Sequence, residues 1–509
     1  MTTTTALTGT PTSGAFGTPV TFTATVRAVR GDTPPDGTNA VTVKNGTTTL
    51  GTANLVSGTV TFLTSTLPPG NSVTATYSGG TNYATSTSNA VSVNITPIAC
   101  VVTSTADPSE SGKLTLRGAI YAANAGACTG NTITFALTAF PATTPTTITL
   151  GSTVTITGTV TIDGMGHQVT IDGGGTTRLF TVNGGATLAV NALTLTGSNS
   201  AGAGGGIFNS AGGTVTVTNS TLRANSAPYG GGIFNNGGMV TVTNSTISGN
   251  SAGKGGGILN NGTLTLTNST VSGNSATSDG GGIFNSSGMV NAANTLIVNN
   301  PGGDVAGNGI NGTSTHNLTG SFTFATPLQN NGGPTQTLAL PPGSPAIAHG
   351  DPTVCAQSGA GKVNGLDQRG VARPRALCAI GAFEPLLSAI SPSSGSVTGG
   401  GTVTLIGTGF AAGATVSIGG VRCTNVQVVS SMTMTCTVGG HAAGTVDVVV
   451  TVGSMTGTLT GGYTYGVVVN PLPRPSPTGG TTGVPNPLPG SRPTGTTGGV
   501  PNPLPPARP

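Results

Sequence analysis

The sequence predicts an all-β protein: a right-handed parallel β-helix between two β-sandwiches, with a disordered tail. Three observations predict this fold class. Only 6% of the 509 residues are charged, against about 25% in an ordinary soluble domain, so long solvated helices lack the charged side chains they need. Apolar and polar residues alternate in short runs punctuated by glycine and proline, as in strands joined by turns. The middle of the chain repeats every 25 residues or so, which indicates a solenoid.

The length predicts three or four domains, and the composition divides the chain into four segments. Residues 1–96 alternate in short runs such as Val73–Tyr77, which predicts a β-sandwich. Residues 97–385 contain the repeat, and residues 386–466 alternate again and predict a second sandwich. Residues 467–509 repeat Asn-Pro-Leu-Pro and are dominated by proline, glycine and threonine. This composition cannot form a core, so we predict a disordered tail.

The repeat defines the coils of the solenoid. Each Gly-Gly-Gly-Ile motif ends in an isoleucine that should stack inside the helix on its equivalents, at about 4.8 Å per coil; these are Ile207, Ile233, Ile258 and Ile283. Asparagine recurs in step in three series, at 199, 225, 250, 274 and 299, at 209, 235, 260 and 285, and at 219, 244, 268 and 294. Rows of amides could bind sugars, but we favour the structural interpretation, in which each amide bonds its equivalents above and below.

An amphipathic helix is predicted ahead of the coils. Its apolar residues fall at i, i+3, i+4 and i+7, at Leu116, Ala119, Ile120 and Ala123. The end of a solenoid exposes its core and a strand edge, so we expect this helix to cap the β-helix.

The cysteines form three couples that are close in sequence. The couples are Cys100 with Cys128, Cys355 with Cys378, and Cys423 with Cys436. An even number in close couples favours local disulfides in an oxidising compartment; the alternative is six buried thiols. None of the spacings is typical of a zinc site, and no metal or cofactor is expected.

Both predicted sandwiches resemble known Ig-like domains. The runs GTPVTFTATV, LGTANLVSGTVTF and LPPGNSVTATYSGGTNYATSTS resemble the bacterial Ig-like repeats of large surface proteins. ISPSSGSVTGGGTVTLIGTGF, with the terminal YTY, resembles the IPT/TIG fold. The first resemblance implies a spacer or adhesive unit.

The β-helix segment resembles bacterial surface proteins. LTLRGAIYAAN and NTITF are similar to the start of their β-helices. NNGGPTQTLALPPGSPAIAHG, LDQRGVARP and CAIGAFE are similar to the choice-of-anchor Q domain, and the coils are loosely similar to repeats of polymorphic outer-membrane proteins. These resemblances imply a secreted or cell-surface protein.

We therefore expect a modular structural or adhesin-like protein, with the solenoid as its display or binding surface. A possible ligand-facing row of Phe208, Phe234, Leu259 and Phe284 could stack on glycans, although such a row more often packs against protein. The expected partner is a glycan or another surface protein. A nucleic acid is not expected, because 16 Lys and Arg over 509 residues leave no basic patch.

The alternative is a carbohydrate-active enzyme, a polysaccharide lyase or glycoside hydrolase with a pectin lyase-like fold. It would need paired carboxylates in a groove. Asp163 and Asp172 each lie in an Ile-Asp-Gly step and are interpreted as turn residues that bond their own backbone. His167 is interpreted as structural or exposed, and Glu384 has no acidic partner nearby in sequence.

The ends of the chain bear on its location. The first residues lack the basic and apolar regions of a signal peptide, and no run is apolar for the roughly 18 residues of a membrane helix. If the protein is exported, we expect this chain to be a mature or shortened form. We expect a monomer.

One pair of charges tests the alignment of the coils. Lys254 and Asp279 each lie four residues before the isoleucine of a Gly-Gly-Gly-Ile motif. They should face each other in adjacent coils as an exposed ion pair, worth at most about 1 kcal/mol.

Overall fold

The structure is a computed structural model, and it describes residues 1–30, 40–341, 344–373, 378–407, 410–430, 432–452 and 455–466. The tail predicted to be disordered, residues 467–509, lies outside the described residues. The described chain is all-β, with a β-solenoid between two sandwiches.

The N-terminal sandwich packs two antiparallel sheets face to face. Its strands are β1 (Thr3–Thr10), β2 (Ser13–Ala15), β3 (Val20–Ala28), β4 (Ala40–Asn45), β5 (Thr48–Asn54), β6 (Thr59–Thr64), β7 (Val73–Tyr77), β8 (Ser86–Thr87) and β9 (Asn94–Thr96). One sheet has the order β1-β3-β6 and the other β5-β4-β7-β8. Alternate side chains of β3, including Val20, Phe22 and Val26, are fully buried, because successive strand residues point to opposite faces.

The solenoid follows. Its strands are β10 (Ile98–Val102), β11 (Cys128–Phe135), β12 (Thr146–Thr149), β13 (Val154–Ile156), β14 (Thr159–Asp163), β15 (Val169–Asp172), β16 (Phe180–Val182), β17 (Thr187–Asn191), β18 (Leu193–Thr196), β19 (Ile207–Asn209), β20 (Thr214–Thr218), β21 (Thr221–Arg223), β22 (Ser226–Tyr229), β23 (Ile233–Asn235), β24 (Met239–Thr243), β25 (Thr246–Ser248), β26 (Ser251–Lys254), β27 (Ile258–Asn260), β28 (Thr263–Thr267), β29 (Thr270–Ser272), β30 (Ser275–Asp279), β31 (Ile283–Asn285), β32 (Met289–Ala293), β33 (Leu296–Val298), β34 (Val305–Gly307) and β35 (Leu318–Gly320).

These strands form four parallel sheets, each taking one strand per coil. Sheet A has the order β10-β11-β14-β17-β20-β24-β28-β32, and sheet B has the order β12-β15-β18-β21-β25-β29-β33-β35. Sheet C has the order β13-β16-β19-β23-β27-β31-β34, and the short sheet D is β22-β26-β30. The predicted parallel β-helix is therefore present.

The isoleucines of the Gly-Gly-Gly-Ile motifs line the interior, as predicted. Ile207 pairs in register with Ile233, Ile233 with Ile258, and Ile258 with Ile283 in sheet C. All four are fully buried. Because each coil buries its apolar face only against its neighbours, this stack holds the coils together.

Two of the asparagine series form hydrogen-bonded ladders inside the coils. In the first, Nδ2 of Asn209 donates to Oδ1 of Asn235 at 3.0 Å, and Asn235 donates in the same way to Asn260 at 2.8 Å. Asn260 continues the ladder to Asn285 at 3.1 Å. A buried amide must satisfy both its donor and its acceptor, and stacking identical amides does so for Asn235, Asn260 and Asn285, which agrees with the structural interpretation.

The second ladder differs at both ends from its predicted members. It runs from Asn225 through Asn250 and Asn274 to Oδ1 of Asn300, with Nδ2–Oδ1 distances of 3.0, 2.8 and 3.0 Å. Asn299, which was predicted to be the last member, has a positive φ of 58° at the turn instead. Ser198, not Asn199, begins the row, and its backbone nitrogen donates to Oδ1 of Asn225.

The third series turns the chain rather than forming a continuous ladder. Asn219, Asn244, Asn268 and Asn294 all have φ between 46° and 51°, a conformation that asparagine tolerates better than most residues. Nδ2 of Asn244 donates to the backbone oxygens of Val363 and Leu366. This row therefore anchors a later part of the chain.

That later part covers the outer face of sheet B. We call residues 321–385, without 342–343 and 374–377, the covering segment; it includes helix α2 (Pro352–Cys355). Thr221 Oγ1 donates to the backbone oxygen of Gln336, and Thr246 Oγ1 donates to Oε1 of Gln368, both at 2.6 Å. Thr221, Thr246 and Thr270, which point outward from β21, β25 and β29, are buried as a result.

The predicted cap helix is present as α1 (Leu116–Asn124) between β10 and β11. Thr115 is its N-cap and accepts a hydrogen bond from Gly118 N, as is usual at a helix start. Leu116, Ala119 and Ile120 are buried against the first coils. The helix thus covers apolar side chains that the first coil would otherwise expose.

Two of the three cysteine couples are joined. Cys100 and Cys128, on either side of α1, are disulfide-bonded with Cα atoms 5.6 Å apart. Cys355 and Cys378, in the covering segment, are bonded with Cα atoms 6.6 Å apart.

The C-terminal sandwich contains the third couple. Its strands are β36 (Leu387–Ser391), β37 (Ser394–Ser396), β38 (Thr402–Gly407), β39 (Thr415–Ile418), β40 (Val421–Arg422), β41 (Thr424–Ser430), β42 (Thr433–Thr437), β43 (Gly444–Val452) and β44 (Met455–Gly466). The sheets have the orders β36-β38-β42-β41 and β37-β44-β43-β39-β40.

The prediction of a Cys423–Cys436 disulfide is wrong for this structure, because both residues are buried free thiols. Thr424 pairs with Thr437, so the two cysteines are diagonal rather than directly opposite neighbours. Diagonal Cβ atoms lie about 7 Å apart, beyond the roughly 4 Å of a disulfide. The thiols instead hydrogen-bond, which lowers the pKa of Cys423 and raises that of Cys436.

Replacing Asn235 by alanine should destabilise the solenoid, whereas replacing its neighbour Asn236 should not. Asn235 is buried and makes five side-chain hydrogen bonds, whereas Asn236 is exposed. Each buried polar group left unpaired costs about 1–3 kcal/mol, and an exposed substitution about 0.5 kcal/mol or less. Thermal unfolding of both variants measures the difference; equal melting temperatures would contradict the ladder.

Alkylation under denaturing, non-reducing conditions should label two cysteines per chain. Cys423 and Cys436 are free, whereas the other four are oxidised. Peptide mass spectrometry after iodoacetamide treatment identifies the labelled sites. Label on Cys100 or Cys355, or no label at all, would contradict this assignment.

Candidate functional site

The outer faces of the solenoid offer different surfaces. Sheet B is covered at β21, β25 and β29, as described above. Sheet A presents mainly half-buried threonines, such as Thr216, Thr241 and Thr265, paired in register. Sheet C presents the predicted row of large apolar side chains, which is the strongest candidate for a binding surface.

The row follows from the shortness of the sheet C strands. In β23 the three residues are Ile233, Phe234 and Asn235, and alternation points the first and third inward and the second outward. The same pattern in β19, β27 and β31 aligns Phe208, Phe234, Leu259 and Phe284 in register. We call these four residues the aromatic strip. With three steps of about 4.8 Å it is roughly 14 Å long.

The aromatic strip is partly accessible. Its three phenylalanines are half-buried, and Leu259 between them is buried. The Phe208 and Phe234 rings meet edge to face with centroids 5.5 Å apart, a favoured aromatic geometry. The strip is therefore one residue wide, with ring surface still open to solvent.

A cationic side chain lies at each end of the strip. The guanidinium carbon of Arg178 lies 5.0 Å from the Phe208 ring centroid, and Lys254 Nζ lies 4.9 Å from that of Phe284. Arg178 also donates to the backbone oxygen of Gly204 and to Thr181 Oγ1. Its burial lowers its pKa. These contacts hold Arg178 in place over the ring.

Lys254 also forms the predicted ion pair. It pairs in register with Asp279 in sheet D, and Nζ lies 3.5 Å from the Asp279 carboxylate. The side chains are 40% and 52% exposed, so the pair contributes little stability. The predicted alignment of these coils is confirmed. The two cations at the ends of the strip, Arg178 and Lys254, both have partners within the protein.

The triple-glycine turn brings sheet D beside the strip. A Cβ on Gly256 would lie 2.3 Å from the backbone oxygen of Ser275, and one on Gly257 would lie 2.6 Å from that of Gly282. Both are closer than Cβ atoms approach other heavy atoms, so only glycine allows adjacent coils to stack here.

A cluster of charges that sequence reasoning missed lies in the covering segment. Arg373 Nη1 lies 3.1 Å from Glu384 Oε2, and Arg369 Nη2 lies 2.6 Å from Asp367 Oδ2. The Glu384 nitrogen donates to Asp367 Oδ2 at 3.0 Å. The motifs LDQRGVARP and CAIGAFE place these four charges close in sequence within a charge-poor chain, and this density was the available signal.

This charge cluster has a structural role and does not form an active site of the glycosidase type. Asp367 and Glu384 are fully buried, so they do not line the open groove that a glycosidase requires. Burial raises the pKa of Glu384 to about 7, even though Arg373 and the Ala379 amide act in the opposite direction. Asp367 and Glu384, each paired with an arginine, thus hold the covering segment together.

Asp163, Asp172 and His167 make the structural hydrogen bonds expected of them. Asp163 Oδ1 accepts from Met165 N, and Asp172 Oδ1 accepts from Gly174 N, as turn aspartates do. His167 is buried and its Nδ1 lies 2.6 Å from the backbone oxygen of Phe140.

The described residues hold no group of three or more His, Cys, Asp and Glu side chains arranged to bind a metal ion. Within the same ranges, each helix is too short or too polar to cross a membrane.

Comparison with known proteins identifies both sandwiches. Residues 7–96 match the family model of the bacterial Ig-like domain (group 3), and residues 385–466 match that of the IPT/TIG domain. No curated protein matches the chain. The chain is thus a modular protein with a bacterial Ig-like domain, a β-solenoid and an IPT/TIG domain, and both domain types are typical of extracellular proteins. The resemblance to the choice-of-anchor Q domain stays a prediction.

Replacing Glu384 by glutamine should change how stability depends on pH. The pKa of Glu384 is raised from 4.5 to about 7 by folding, so the folded state binds this proton more tightly than the unfolded state. The stability contributed by Glu384 is complete below about pH 4.5 and falls, by at most about 3 kcal/mol, as pH rises to 7. As the pH rises from 5 to 8, the stability of the variant relative to that of the wild type should therefore increase.

Thermal unfolding at both pH values measures this change, with Glu110→Gln as the control. Folding lowers the pKa of the exposed Glu110 through hydrogen bonds to Lys113 and Ser104, so it is ionised in both states across this range. A Glu384→Gln variant that parallels the wild type would contradict the raised pKa.

Proposed function

We propose that this chain is a cell-surface or secreted adhesin-like protein that binds a linear glycan along the aromatic strip, with its Ig-like domains as spacers. The observation that carries the proposal is the strip itself, a row of half-buried rings in register on an outer face of the solenoid. The ring surface that stays open along this row suits the apolar faces of consecutive sugar units.

The width of the strip favours a glycan over a protein partner. Each coil contributes one outward side chain to it, and a fully buried aromatic side chain contributes about 150–250 Å². Three phenylalanines that are already half-buried therefore offer far less than the roughly 800 Å² per partner of a stable protein interface. An extended chain one unit wide matches this shape better.

Electrostatics favour a neutral glycan on this face. Lys254 is paired with Asp279, and Arg178 donates to protein oxygens. Neither cation is left to pair with an acidic sugar, so ring contacts supply the binding energy.

The enzyme alternative lacks a supporting observation on this face. Asp279, in sheet D beside the strip, is paired with Lys254. Asp304, which directly precedes β34, accepts hydrogen bonds from the backbone nitrogens of Asn300 and Gly320. The paired carboxylates Asp367 and Glu384 are buried elsewhere.

Replacing Phe234 by alanine should weaken glycan binding about tenfold, equivalent to roughly 1.4 kcal/mol, because it removes the central ring. The Phe208, Phe234 and Phe284 triple alanine variant should abolish binding. A glycan array identifies the ligand and calorimetry measures its affinity. Met239→Ala is the control, since Met239 is an apolar side chain 52% exposed on sheet A.

Three outcomes would contradict the proposal. The first is wild-type binding to glycans that survives the triple variant, which would place the site elsewhere. The second is release of reducing sugars from the bound polysaccharide, which would favour the enzyme. An array with no bound glycan would instead favour a protein ligand.

A further inference from the structure

A polar cleft lies on sheet B at one edge of the covering segment. Its volume is about 330 Å³, at the lower end of the range for small-molecule sites. The floor consists of outward side chains of β12, β15, β18 and β21. One wall is formed by Asn330 and residues 334–336 of the covering segment. The aromatic strip is on a different sheet, so the two surfaces are independent.

The floor is a grid of polar groups set by strand pairing. In one row Thr147 pairs with Thr170 and Thr170 with Thr194. In the next row Thr196 lies between Asp172 and Arg223, which places their backbones about 10 Å apart. The cleft therefore has hydroxyls in its centre, a cation at one end and a carboxylate at the other.

Arg223 is the unusual member of this grid. Its Nε is buried without a hydrogen-bond partner, and no salt bridge joins Arg223 to a carboxylate among the described residues. Arg178, by contrast, donates through all three of its guanidinium nitrogens. Buried polar groups are almost always paired, so a guanidinium with a buried, unpaired Nε at the edge of a cleft indicates a missing acceptor.

The geometry points to an acidic sugar unit as the occupant. We propose that Arg223 pairs with an oxyanion, carboxylate or sulfate, carried by a sugar ring that occupies the cleft. A guanidinium is suited to this because its planar fork of donors matches two oxygens of an oxyanion. The hydroxyls of Thr170, Thr194 and Thr196 can bond ring hydroxyls, and the Asp172 carboxylate can accept from another.

Calorimetry on the full chain with glucuronate, glucose 6-sulfate and glucose tests this assignment. At least one of the acidic sugars should bind at least tenfold more tightly than glucose, and the two acids separate carboxylate from sulfate. Arg223→Gln should lose this preference, and Arg223→Lys should recover only part of it because lysine lacks the fork. Arg27→Gln removes the same charge from an exposed side chain on β3 of the N-terminal sandwich and should bind like the wild type.

A second variant guards against misfolding. Thr170→Val keeps the side-chain shape and should weaken all three sugars at least threefold, with an unchanged melting temperature. Equal binding by Arg223→Gln, equal loss in Arg27→Gln, or no binding of either acidic sugar would overturn the proposal. So would a lower melting temperature of sugar-free Arg223→Gln, since that would show that Arg223 already has a structural partner.

Discussion

Parallel pairing in register is the constraint on which the rest of this structure depends. Every residue of a coil lies about 4.8 Å from its equivalent in the next coil, so each position must be compatible with a copy of itself. Isoleucine meets this condition inside the coil by packing. Asparagine meets it because an amide is both donor and acceptor, whereas a repeated like charge would not, and Lys254 accordingly faces Asp279.

This constraint explains how much of the solenoid could be predicted from the sequence. Once Ile233 and Ile258 are equivalent, the inward rows, the outward aromatic strip and the Lys254–Asp279 pair follow by counting. Counting along the repeat gave the wrong last member of the second asparagine ladder, Asn299 instead of Asn300, because the spacing between rows changes there. Counted three residues from the buried Leu222, Ile247, Val271 and Ile297, the ladder position is Asn300, which is the position the structure uses.

The covering segment and the cleft could not be predicted in this way. Their contacts join residues more than 100 positions apart, as between Thr221 and Gln336, and they do not repeat. Thr241 of sheet A and Thr246 of sheet B both point outward in alternating strands, yet only the second is fully buried. No local pattern distinguishes them. The unpaired Arg223 is likewise visible only when the strands and the covering segment are assembled.

The covering segment also limits how the protein can change in length. A solenoid alone can lose or gain a whole coil of about 25 residues, because the coils on either side of the join remain compatible. Here, however, Gln336 is fixed to the coil of Thr221 and Gln368 to that of Thr246. Ala382 is fixed to Thr270 in the coil after that. The segment therefore acts as a ruler, and duplication or deletion of a coil beneath it would require a matching change in the segment itself.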